Sequence, residues 1–151
     1  MRSVLKPLPL DASKETRGRV LIVGGSSRYP GAILLAGRAA ARSGAGVVTL
    51  AAGRSVAEMI AGQDPNLTLF PLAEAQPGLI ATGAAAQLST LLADKIRALL
   101  VGPGLAHATG TDEFVVAVRV ACGIGGARRI TNQSEGVDEY VVLVGVVCLH
   151  R

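Results

Sequence analysis

The residues most suggestive of chemistry are Gly24-Gly25-Ser26-Ser27-Arg28-Tyr29-Pro30-Gly31. An apolar run, residues 19–23, precedes them. An alanine-rich segment and a second apolar run, residues 46–52, follow. This order opens a nucleotide-binding βαβ unit. A compact glycine turn at a helix N-terminus presents backbone N–H groups to phosphate or another anion. The spacing matches neither GxGxxG nor GxxxxGK[ST], and glycines that serve only a tight turn are an equal alternative. Tyr29 either stacks on a ring or covers the helix start. A second turn, Gly102-Pro103-Gly104-Leu105, closes another apolar run. Pro103 fixes one dihedral, and Gly104 lets the chain approach a ligand closely. Both turns are expected at the carboxyl ends of parallel strands, converging on one cleft.

Groups that could carry catalysis are scarce. His107 and His150 are far apart and sit in no motif. Ser26 and Ser27 have no adjacent base to activate them. Asp64 precedes Pro65, where turn formation accounts for it. Asp112 and Glu113 follow Thr111 and read as helix-capping acids. Cys122 and Cys148 belong to no CxxC or Cys/His cluster and are expected as buried, reduced thiols. No catalytic residue and no metal ligand is assigned.

Composition bounds the remaining classes. The chain has 151 residues, half of them hydrophobic and 3% aromatic, so one domain with an aliphatic core is expected. The net charge is +4, but the 15 basic residues are scattered and lack interleaved aromatics. This argues against nucleic-acid binding and for mild attraction of anionic small molecules. The N-terminus lacks the apolar core of a signal peptide, and the run at residues 141–149 is too short to span a bilayer. A soluble, cytoplasmic protein is the expectation, with a homo-oligomer left open.

Strands are expected at residues 19–23, 46–52, 66–72, 97–102 and 140–150. Helices are expected at residues 31–43, after a capping box at Ser55-Val56-Ala57-Glu58, at residues 83–94, and from Thr111 to about Ala121. Alternation of strands and helices gives an α/β parallel sheet.

These blocks resemble the ADP/ATP-dependent NAD(P)H-hydrate dehydratase family. Lys14, Gly18, Gly24, Gly25, Ser26, Tyr29, Gly31, Ala32, Gly44, Ala45 and Gly46 fit its opening pattern. The stretch DPNLTLFPL is similar to its Pro-Glu-x-Met-x-x-Pro-Leu, with Asn66 where Glu is usual. ALLVGPGLA is similar to its Val-Gly-Pro-Gly-Leu-Gly, with Ala106 replacing the last glycine. The resemblance implies a three-layer α/β/α ribokinase-like (Rossmann-like) fold, here incomplete. It implies residues 1–17 as an irregular lead-in, 18–120 as the N-terminal part of the domain, and 121–151 as an unmatched tail, with a final strand one reading of it. The implied reaction is nucleotide-driven dehydration that restores NADH or NADPH from the hydrated cofactor (NADHX or NADPHX), using ADP or ATP with Mg2+. Ala32, Gly102, Pro103 and Gly104 would contact the hydrated nicotinamide nucleotide. Gly24, Gly25, Ser26, Tyr29 and Gly31 would form the nucleotide loop. The family's later Gly-[Ser/Thr]-Gly-Asp, which carries its catalytic aspartate, does not occur in this sequence. The chain alone is therefore expected to be inactive. A non-catalytic nucleotide-binding remnant and a Rossmann-type oxidoreductase are the competing readings. The latter is disfavoured because no acid ends the second strand.

Overall fold

The run RVLIV forms strand β1 (Arg19–Val23), which is covered on both faces and so is apolar without alternation. The structure, a computed structural model, describes residues 11–92, 96–106, 108–121 and 144–148. Expectations for His107, His150, Cys122, the Cys148 side chain and the glycine-rich stretch at 123–143 lie outside the described residues. So do residues 1–10 of the lead-in.

Helix α1 (Pro30–Arg42) begins at Pro30, whose missing N–H costs nothing in a first turn. Ile33, Leu34 and Gly37 form its buried stripe. The amides of Ser43 and Gly44 bond back to the carbonyls of Ala39 and Ala41 and end it. Strand β2 (Val47–Gly53), helix α2 (Arg54–Ile60) and strand β3 (Leu67–Leu72) follow, with β1, β2 and β3 paired in parallel. Pro71 is tolerated because β3 lies at the sheet edge.

The chain then leaves the sheet. It forms a short hairpin, β4 (Glu74–Gln76) and β5 (Leu79–Ile80), a 3-10 turn (Thr82–Ala84) and helix α3 (Ala85–Leu92). It returns on the far side of β1 as β6 (Ile96–Val101), again parallel. Helix α4 (Thr109–Ala121) follows, and strand β7 (Val144–Cys148) pairs antiparallel with β6. The main sheet has the order β3-β2-β1-β6-β7. The all-parallel expectation therefore holds for the first four strands only. The fifth runs the opposite way and covers an edge of β6 that would otherwise be unpaired.

Side chains alternate between two cores. Ile22, Leu50 and Val48 meet Ile33, Leu34, Val56 and Ile60 under α1 and α2. Leu21, Val23, Leu99 and Val101 meet Leu88, Phe114 and Val118 under α3 and α4. The result is a three-layer α/β/α sandwich.

Two local expectations change. Ser55 does not cap α2: that helix begins at Arg54 behind Gly53, with no side-chain cap, and the Ser55 hydroxyl donates to Glu74 instead. Thr111 is not the start of α4, which begins at Thr109; Thr111 is buried within its first turn. The hairpin was missed, although Pro77-Gly78 is a turn dipeptide between short extended segments.

Candidate functional site

From β1 the chain proceeds to β2 on one side, and it later returns to β6 on the other. Strand order thus reverses between β1 and β6. The helix after β1 packs on one face and the helix after β6 on the opposite face. At such a reversal the two connections diverge and leave a crevice at the strand carboxyl ends. The turns at residues 24–31 and 102–104 are those two connections.

The turns touch through their backbones. The Gly25 N–H donates to the Pro103 carbonyl at 2.8 Å, and Gly24 packs directly against the same carbonyl. The Gly102 N–H donates to the Val23 carbonyl at 3.0 Å. Gly25 has φ +78°, and an added β-carbon there would lie 2.9 Å from a Val56 methyl group. Gly104 has φ +73°, and a β-carbon there would lie 2.6 Å from the Tyr29 carbonyl oxygen and 2.8 Å from the Ala32 β-carbon. A side chain at Gly104 would force the turns apart, and one at Gly25 would press on the helices beneath the first turn.

Depth sorts the residues singled out from sequence. Gly24, Gly25 and Ser26 are buried, with the Ser26 Oγ accepting from the Tyr29 N–H at 3.3 Å. Ala32, Gly102, Pro103 and Gly104 are half-buried, while Tyr29 and Gly31 are exposed. A β-carbon on Gly31 would meet nothing within 4 Å. The Arg28 guanidinium lies 5.7 Å from the Tyr29 ring centroid, placing a cation beside the exposed end of the first turn. The anion cradle expected of the first turn is smaller than its glycine content suggests. The amides of Gly24, Gly25 and Tyr29 are used inside the protein, the first donating to the Ala51 carbonyl at 3.1 Å.

Sequence reasoning missed Glu74. Its Oε1 accepts from the Ser55 hydroxyl at 2.7 Å and the Gly78 N–H at 2.8 Å, and its Oε2 accepts from the Ser55 N–H at 3.2 Å. Burial pushes the carboxyl up, but these hydrogen bonds and Arg54 outweigh it and hold it below the usual glutamate range. Among the described residues no three His, Cys, Asp or Glu side chains form a group that could hold a metal.

An open cleft of about 570 Å³ lies at the opposite, amino-terminal end of the strands, beside Arg38, Arg42, Asp64 and Asn66. Arg38 Nε donates to Asp64 at 3.2 Å and its Nη2 to the Gln63 carbonyl at 2.8 Å. The Asn66 backbone and side-chain N–H groups both reach Asp64 Oδ1 at 3.0 Å. This is a clasp between α1 and the start of β3, remote from the crevice.

A family model described as NAD(P)H-hydrate dehydratase matches residues 20–122. The chain belongs to this family. It is 44% identical over 111 residues to an ADP-dependent (S)-NAD(P)H-hydrate dehydratase of Xanthomonas campestris, covering 73% of this chain and 38% of that protein. It is 33% identical over 110 residues to an ATP-dependent (S)-NAD(P)H-hydrate dehydratase of Aspergillus fumigatus, covering 70% of this chain and 30% of that one. The chain thus spans less than half the length of these relatives. Among solved structures, a hypothetical protein of Streptococcus mutans matches with TM-score 0.63 and 31% identity, over 80% of this chain and 40% of that one. A ribokinase-like superfamily protein of Enterococcus faecalis matches with TM-score 0.62 and 22% identity, over 77% of this chain and 37% of that one. Among the described residues, no helix is long and apolar enough to cross a membrane.

Proposed function

We propose that this chain provides the nicotinamide-nucleotide side of a nucleotide-dependent dehydratase that returns hydrated NADH or NADPH to the intact cofactor. The observation that carries the reading is the meeting of the 24–31 and 102–104 turns where strand order reverses, in a chain of this family. In this reading the half-buried Ala32, Gly102, Pro103 and Gly104 form the floor for the hydrated ring. Their small size lets the ring approach the backbone. Gly31 and Tyr29 form the exposed lip. Arg28 attracts the pyrophosphate, and Gly24, Gly25 and Ser26 hold the loop from beneath.

ADP or ATP with Mg2+ would supply the driving force for loss of the hydroxyl. The described residues do not fit that half of the reaction: they present no metal-ligating cluster, and the Glu74 carboxylate, whose hairpin reaches the glycine loop, is occupied by three hydrogen bonds. The role proposed for the described residues is to bind and orient the substrate. The oxidoreductase alternative wants a free carboxylate at the end of the second strand, and β2 ends at Gly53.

Calorimetric titration of the 151-residue chain with hydrated NADPH tests the reading. Saturable binding that Gly31→Leu abolishes without lowering the melting temperature is expected. No binding by the unmodified chain, or unchanged binding by Gly31→Leu, removes the crevice from the assignment.

A further inference from the structure

The hairpin β4–β5 has no counterpart in a minimal βαβ layer, yet it reaches the candidate site. Its turn residue Gly78 lies so close to Ser27 that an added β-carbon would fall 2.5 Å from the Ser27 backbone nitrogen and 2.6 Å from its β-carbon. Ser27 is the midpoint of the first glycine turn. What holds the hairpin in this place is the Glu74 side chain. It packs against Gly53 at the end of β2, where a β-carbon would lie 3.0 Å from its Cγ and Cδ. One carboxylate thereby ties together the end of β2, the first turn of α2 and the hairpin tip.

Glu74 is poorly suited to touch a ligand. Oε1 already accepts two hydrogen bonds and Oε2 one, all within 3.2 Å. The neighbouring groups are Ser55 and Arg54 from α2 and Gly78 from its own hairpin. Charge-assisted bonds of this kind are stronger than neutral ones, and a group that makes three holds its partners in one geometry.

We propose that Glu74 is a positioning residue of the nicotinamide-nucleotide site, fixing the first glycine turn by pressing Gly78 onto Ser27. This rests on the binding reading above and adds a residue to it. Glu74→Gln keeps the size and removes the charge. Ser55→Ala removes one of the three hydrogen bonds and leaves the carboxylate. Asp64→Asn weakens the clasp at the far end of the sheet and serves as the structural control. Two quantities are compared across the full chain and these variants: the amide resonances of Ser27 and Arg28 in 15N-resolved spectra, and affinity for hydrated NADPH.

Glu74→Gln is expected to move the Ser27 and Arg28 resonances and to weaken binding roughly fivefold to tenfold, with Ser55→Ala between it and the unmodified chain. Asp64→Asn should leave those resonances in place and alter affinity less than about twofold, whatever it does to stability. Unmoved Ser27 resonances in both Glu74→Gln and Ser55→Ala overturn the proposal. So does Asp64→Asn weakening binding as much as Glu74→Gln. If the unmodified chain does not bind hydrated NADPH, the binding reading fails, and the proposal that Glu74 positions a binding site falls with it; the resonances still report whether Glu74 fixes the turn.

Discussion

At the scale of single residues, the glycines at this site are of two kinds, and substitution separates them. Gly104 is confined: its φ is +73°, and a β-carbon would press on Tyr29 and Ala32. Gly104→Ala is expected to cost about 2–4 kcal/mol, combining left-handed strain with overpacking. Urea denaturation measures this, and a loss under about 1 kcal/mol would contradict the close approach. Gly31 sits in the first turn of α1 with open space around it. Gly31→Ala should raise stability by about 0.5–1 kcal/mol, because alanine favours the helix. On the proposed reading, in which Gly31 forms the exposed lip of the site, the same substitution should weaken binding of hydrated NADPH. A variant more stable than the parent yet weaker in binding marks a glycine retained for its ligand. Asn66 shows a different economy: where the family pattern has Glu, its amide donates to Asp64 and closes a turn.

At the scale of elements, two carboxylates join segments distant in sequence. Asp64 bonds Asn66 and Arg38, and the Asn66 backbone N–H is the largest influence holding its carboxyl below the ordinary aspartate range. Glu74 is likewise held low, its hydrogen bonds outweighing burial. For a carboxyl whose folded value is depressed, the stabilisation is fully present above the unfolded value. It is lost as pH falls through the folded value. The melting temperature should therefore be nearly flat at neutral pH and fall below about pH 4. Glu74→Gln should melt lower at pH 7 and show a shallower acid decline. Identical slopes in thermal melts of the two proteins from pH 7 to 3 would show that Glu74 does not titrate as a clamp.

At the scale of the whole molecule, the chain spans 38% of the Xanthomonas relative and 30% of the Aspergillus one. Where its two glycine turns meet, the residues named above are small ones with Arg28 beside them, and the Glu74 carboxylate already accepts three hydrogen bonds. A positioned general base is worth ~10²–10⁴-fold in rate, and loss of one electrostatic donor costs ~10²–10³-fold. The 151-residue chain, incubated with hydrated NADPH, ADP or ATP and magnesium, is expected to give no turnover above background by absorbance. Nucleotide-dependent turnover would assign the missing acid to residues outside the described set, with Asp138 and Glu139 the first to substitute.

What could be read from the sequence was local. RVLIV needs two covered faces and announced a central strand. Pro30 and the alanines after it announced α1. The two glycine turns announced strand ends, and together with DPNLTLFPL they carried the family. Such signals depend on propensity and spacing within a dozen residues, and the chain order preserves them. The tertiary structure decided whatever depends on residues far apart. The convergence of the two turns was expected from the general placement of sites at strand carboxyl ends, but that β6 lies beside β1, so that their backbones touch, is a consequence of strand order and is invisible to periodicity. The antiparallel sense of β7 is likewise set by pairing and not by composition. Ser55 followed by Glu58 satisfies a capping pattern, yet its hydroxyl bonds Glu74, 19 residues away. A charged acceptor brought close by the hairpin outcompetes a local cap, because the carboxylate can satisfy the hydroxyl and two backbone amides at once.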